Sequence, residues 1–195
     1  MDMIDALDSL DGLDGQQLLK ALEPGPLLRL HYRGGRPRAA SAAVLVEAPA
    51  DLLWDIVGSI DRFPKLIRMV HSVRHLPPTA AGLDVVNVEL RFKIAFFGAK
   101  FGFVATREIV GERRVEVRYL RGKVRDAYID IEVVPVSDTQ SALRCHVGFD
   151  PLALGWLVKV FLRHHPEIEF GLHTGSVMSI TQAAQDAAEK EAAGS

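Results

Sequence analysis

The sequence predicts an α+β fold in which an antiparallel sheet packs against one long C-terminal helix, with a separate arm at the N-terminus. Three observations carry this reading. From residue 27 to residue 149, apolar and polar side chains alternate in short runs separated by turn signals at hairpin spacing. One helical segment interrupts the runs early, at residues 50–60. Beyond Asp150-Pro151 the spacing changes from two to helical, with Leu154, Leu157, Phe161, Ile168 and Leu172 forming a stripe.

Taken in order, the arm covers residues 1–25. Met1, Ile4, Leu7, Leu10 and Leu13 are each followed by an aspartate, Asp2, Asp5, Asp8, Asp11 and Asp14. A period of three drifts around an α-helix, so no face stays apolar for long. The expectation is a short helix at 3–10, a turn at 12–15 and a second helix at 16–22. Calcium loops need carboxylates at alternating positions and a closing bidentate glutamate, which this spacing lacks. The arm therefore reads as a docking segment over a sheet edge or a cavity mouth, and a protein partner is one use for it. Pro24 and Pro26 close it, and residues 27–32 and 39–46 follow as strands around Gly34-Gly35. The 50–60 helix turns Leu53, Trp54, Ile56 and Val57 inward, carries Asp51 in its first turn, and is expected to stop at Phe63-Pro64. Six more strands are drawn at 71–76, 84–97, 99–110, 113–121, 124–135 and 141–149, with breaks at Pro77-Pro78, Gly98, Gly111-Glu112, Gly122 and Ser137-Asp138. Pro166 removes a backbone donor and should break the C-terminal helix. The polar tail at 183–195 is expected to fray, which leaves 26–182 as the body.

Composition narrows the function classes. With 195 residues and 48% hydrophobic content, the chain supports one domain with a sizeable core. The net charge of −2 excludes a strongly cationic DNA binder, although residues 1–23 carry −5 and the remainder +3. Cys145 is the single cysteine, so no internal disulfide forms, and neither a secretory signal nor a long apolar span is present. A soluble cytoplasmic protein is expected.

The stretch AAVLVEAPADLLWDIVGSIDRFPKLIRMVHSVRHL, residues 42–76, runs from a strand ending in Ala48-Pro49 through the short helix to an Asp61-Arg62-Phe63-Pro64 element and a second strand. That order resembles the START-like, or polyketide cyclase/dehydrase, superfamily (SRPBCC, coenzyme Q-binding-like) of helix-grip proteins. The resemblance covers about residues 38–182. It implies a curved antiparallel sheet wrapped around the C-terminal helix, and a hollow that holds an apolar small molecule such as a lipid, quinone, sterol-like compound or polyketide.

Because a strand sends alternate side chains to opposite faces, the apolar phase of each strand marks the inner surface. This phase, with the two helices, nominates Trp54, Leu90, Phe92, Ile94, Phe101, Phe103, Val117, Tyr119, Ile129, Ile131, Leu143, Cys145, Val147, Leu157 and Phe161 as ligand-binding residues. Alternation alone is served equally by a solid core; the hollow comes from the resemblance. General acid/base chemistry needs a titratable group beside the substrate, and only Tyr119 and Cys145 fall in the inner phase. The expected function is therefore binding or carriage with Tyr119 as polar anchor, no catalytic residues and no cofactor. An aromatase/cyclase-type enzyme and a ribosome-associated or protein-interaction module are the alternatives.

Other constellations carry less. His165, Glu169 and His173 share a spacing of four, but Pro166 interrupts the first interval and no metal site is expected. His146 points away from Cys145 along the strand, which argues against a nucleophile pair. Arg113, Arg114, Arg118, Arg121, Lys123 and Arg125 are interleaved with Glu112, Glu116, Asp126 and Asp130, a mixed solvated face without the aromatic series of a single-strand binder. Phe96-Phe97-Gly98 places two aromatics at a hairpin tip, where a transient membrane contact, a lid or an inward fold are all open.

Overall fold

The computed structural model describes residues 13–94 and 97–194, and within these not the side chains of residues 92–99 and 157. The first expected helix of the arm, at 3–10, and Phe96 lie outside the described residues. Eight strands are present: β1 (Leu27–Arg33), β2 (Arg36–Val46), β3 (Val70–Leu76), β4 (Asp84–Ile94), β5 (Phe97–Ile109), β6 (Arg114–Gly122), β7 (Tyr128–Pro135) and β8 (Ser141–Gly148). They form one curved antiparallel sheet in the order β1-β2-β8-β7-β6-β5-β4-β3. Register shifts in the β1–β2, β3–β4 and β5–β6 pairings, at Arg38, His71 and Leu120, add the local twist that curvature requires.

The helices are α1 (Gly15–Leu22), α2 (Ala50–Val57), α3 (Phe63–Leu66), α4 (Trp156–His164) and α5 (Glu167–Ala193), with 3₁₀ turns at Ile60–Arg62 and Pro151–Leu154. Helix α5 crosses the concave face, chiefly over β2 and β8, and also meets α2. The main core lies between them, built on Ala42, Val44, Leu143, Cys145, Val177 and Ile180. Pro166 stands between α4 and α5 and caps the latter, the break that its missing donor dictates.

Four local expectations are corrected. Phe63-Pro64 does not stop the first helix: α2 ends at Val57 with Gly58 as its C-cap, and Phe63 and Pro64 open α3, where proline in the first turn costs no hydrogen bond. Gly98 lies inside β5, paired with Lys93, because Ile94 and Phe97 already face each other across the hairpin. Strand β7 begins at Tyr128 and not at 124; the preceding turn contains Asp126 at φ 56°, a left-handed conformation that aspartate tolerates. The tail stays helical to Ala193, because Ala184 and Ala188 continue the buried stripe of α5 into the core.

The described part of the arm packs on the face of the sheet opposite α5, against β2 and β8, with Leu27 of the edge strand β1 beside it. Asp14 caps α1: its Oδ1 accepts from the Gln17 amide at 2.9 Å, while Gln17 Oε1 accepts from the Asp14 amide at 3.0 Å. Leu18 and Leu22 then bury against Ala43, Val136 and Ala142. A Cβ on Gly15 would stand 2.0 Å from the Pro135 carbonyl oxygen, so glycine permits this approach of helix to sheet.

Candidate functional site: an apolar cavity between sheet and helix

A cavity lies between the concave face and α5. Strands β4 to β8 supply Val88, Leu90, Phe103, Val117, Ile129 and Val147; α5 supplies Ser176 and Ile180. Ile60, Phe63, Ile67 and Met69 from the segment between α2 and β3, with Val70 at the start of β3, close one side, and Phe149 and Leu154 contribute beyond β8. The cavity volume is about 60 Å³.

Hydroxyl groups near this wall are already committed. Ser176 Oγ donates to the Leu172 carbonyl at 2.7 Å. The Tyr128 hydroxyl lies 3.1 Å from His146 Nε2, and its ring lies over Gly148, where a Cβ would meet it at 2.3 Å. Burial pushes the Tyr128 phenol up, with the Asp130 charge adding to the effect. An apolar guest would therefore meet a surface with no hydroxyl freely presented among these residues.

Of the residues nominated from alternation, Leu90, Phe103, Val117, Ile129 and Val147 line the cavity. The side chains of Phe92, Ile94 and Leu157 lie outside the described residues. The remaining nominated residues are not among those that line this cavity. Phe101, Ile131, Leu143 and Cys145 are buried in solid core, where burial also pushes the Cys145 thiol up. Trp54 packs against the core from α2 with its ring beside Gly58. Phe161, half-buried, lies against His165, with ring centroids 5.0 Å apart. Tyr119 is no anchor in the cavity: its hydroxyl donates to the Gly122 carbonyl at 3.0 Å, at the end of its own strand. The wall residues not nominated from the sequence include Val88, Phe149, Leu154, Ser176 and Ile180, and, as the largest group, those between α2 and β3. The signal for that group was a run of apolar side chains, Ile60, Phe63, Ile67 and Met69, in a segment too irregular to be only a connection.

The rival constellations disperse. His165 Nδ1 sits 3.1 Å from Glu167 Oε1 on the surface. Glu169 is 2% exposed and accepts from Arg36 Nε and Nη2 at 3.0 and 2.6 Å. His173, fully buried, lies with Nδ1 2.9 Å from the Glu169 carbonyl oxygen and Nε2 3.2 Å from that of Phe149. Among the described residues no group of three or more His, Cys, Asp or Glu could hold a metal ion. Within the basic cluster, Arg113 pairs with Asp51 at 2.7 Å, Arg114 and Arg118 with Glu116 at 2.7 and 2.8 Å, and Arg118 also with Asp130. Among the described residues no helix is long and apolar enough to cross a membrane.

The family model for polyketide cyclase/dehydrase and lipid transport matches residues 46–165. The chain belongs to that family. Its segment runs from the end of β2 through α4 and so contains β3 to β8, most of the cavity wall. Among solved structures, the family member is similar to the ZhuI aromatase/cyclase from Streptomyces sp. R1128, with 16% identity and a TM-score of 0.59, covering 80% of this chain and 95% of that one. A START superfamily protein from Mycobacterium smegmatis gives 14% identity and a TM-score of 0.62, covering 78% and 98%. The di-domain aromatase/cyclase StfQ of the steffimycin biosynthetic pathway gives 16% and 0.54, covering 77% of this chain and 44% of that one. At these identities the likeness establishes the helix-grip fold. Among curated proteins no match to the chain was found.

Proposed function

We propose that this protein binds and carries an apolar small molecule in the cavity between its sheet and α5. The observation that carries the reading is the wall itself: nearly continuous hydrocarbon, with the Ser176 and Tyr128 hydroxyls bonded to protein. Pockets that hold small molecules usually measure about 300–1,000 Å³. The space for a guest is narrower here, so binding widens it, and the short α3 segment and Leu154 are the parts of the wall on short elements that can move apart. A proton-moving role needs a titratable group presented to the guest; Tyr119, the sequence's candidate, is turned to Gly122, and the Tyr128 phenol at the wall is held against His146 with burial pushing its pKa up. This favours carriage over an aromatase/cyclase reaction. The single buried thiol, Cys145, supports a reducing, aqueous compartment such as the cytoplasm as the place of action.

The test is thermal unfolding with oleate, a short-chain ubiquinone, cholesterol and an aromatic polyketide, on the wild type and on Val147→Phe. The larger ring fills the cavity at a cost of about 1–3 kcal/mol. A bound class at about a hundred times its Kd adds about 2.7 kcal/mol, or about 5–10 °C for a chain of this size. The wild type should show this rise with at least one class, and Val147→Phe should lose it while remaining folded. No rise with any class, or an equal rise in the variant, contradicts the proposal.

A further inference from the structure

We infer that α4 is a docking helix whose outward stripe seats on an anionic lipid surface. Trp156, Lys159, Val160 and Arg163 recur at intervals of three and four and occupy an arc about 100° wide. The opposite side carries Val158, packed against the core, and Leu162, 1% exposed. Trp156 is 72% exposed and Val160 46%, and Trp156 is the most exposed large apolar side chain among the described residues. An indole in water has a large apolar body to bury and one N–H to keep wet, which suits a bilayer interface.

Charge selects the occupant. Between Pro151 and Pro166 the sequence holds no aspartate or glutamate, while Lys159, Arg163 and His164 are all exposed. Lys159 and Arg163 make no ion pair among the described residues. Cations around an exposed tryptophan match an anionic headgroup layer over an acyl region. A second copy of the chain fits less well. Self-apposition brings Lys159 and Arg163 against their own kind, and one short stripe falls well short of the roughly 800 Å² per partner of a stable interface. The docked helix also adjoins the cavity, since Leu154 in the wall lies two residues before Trp156. Only the purpose of docking, exchange of an apolar guest with the bilayer, rests on the proposed carriage.

The experiment is flotation of the full, ligand-free chain with phosphatidylcholine vesicles with and without phosphatidylglycerol, followed by tryptophan emission. The wild type should float only with the anionic vesicles, with a blue shift that Trp156→Ala loses. Lys159→Glu/Arg163→Glu should weaken partitioning by at least about tenfold, and the milder Lys159→Gln/Arg163→Gln by less. Absence of flotation, equal flotation with both vesicle types, indifference to charge reversal, or a concentration-dependent dimer abolished by Trp156→Ala overturns the inference. Thermal shifts of the same variants with cavity ligands separate the two readings, since α4's outer stripe lies away from the wall.

Discussion

Arg36 and Glu169 come from positions 133 apart in sequence, and their contact pins the first turn of α5 to the start of β2. A carboxylate at 2% exposure is held in place by two N–H donors from one guanidinium. Removing a partner from a buried pair leaves an uncompensated charge, a cost of about 3–5 kcal/mol when both are buried. Arg36 is 38% exposed on its side chain, so Arg36→Ala should cost about 2–3 kcal/mol in urea unfolding. Arg36→Ala/Glu169→Gln should recover part of that loss; a double variant no more stable than the single would show the charge is not the cause. The sequence displayed the spacing of His165, Glu169 and His173, yet nothing local in it pointed to Arg36. Tyr119 is the same lesson in reverse. Alternation placed it on the inner phase, but the phenol reaches three residues along to Gly122, a choice of rotamer that a period of two cannot carry.

At the scale of elements, the period-two pattern located most of the described strands, because a sheet with one buried face and one wet face must alternate; β2, buried on both faces between α5 and α1, was marked instead by its apolar run between Gly35 and Pro49. The pattern failed where apolar side chains serve an irregular segment. Ile60 was read as the end of the first helix and the stretch from Asp61 as a stop and a loop, yet the segment to Met69 contains α3 and one side of the cavity. His75 ties this segment to the sheet. Its Nε2 lies 3.1 Å from Asp61 Oδ1 in the 3₁₀ turn, and its Nδ1 lies 3.3 Å from Asp84 Oδ1 at the head of β4. Asp84 first, and Asp61 with it, raises the His75 imidazole above its ordinary 6.5. A raised folded value means that the stabilisation is complete below the unfolded pKa and fades as pH rises through the folded one. His75→Gln should therefore be less stable than the wild type at about pH 5.5 and should match it at about pH 8.5, a gap under about 1 kcal/mol for so exposed a pair. A gap that is constant with pH would assign the effect to packing.

For the whole molecule, the architecture was legible and the hollow was only half so. Five inner strands present more apolar side chains than a cavity of this size can use, and only where the sheet curves away from α5 do they stay uncovered. Leu90, Phe103, Val117, Ile129 and Val147 sit there, whereas Ile131, Leu143 and Cys145, in the same phase, are closed over as core. Sequence periodicity fixes a face but not the separation between sheet and helix, which depends on curvature and on the bulges that generate it. The most direct measurement is native mass spectrometry of the chain purified from its own host, with extraction of whatever accompanies it. A stoichiometric apolar small molecule, absent from Val147→Phe prepared in the same way, is the predicted result. A wild-type protein that is empty in its host and stays empty when offered lipids, quinones and polyketides would contradict the account.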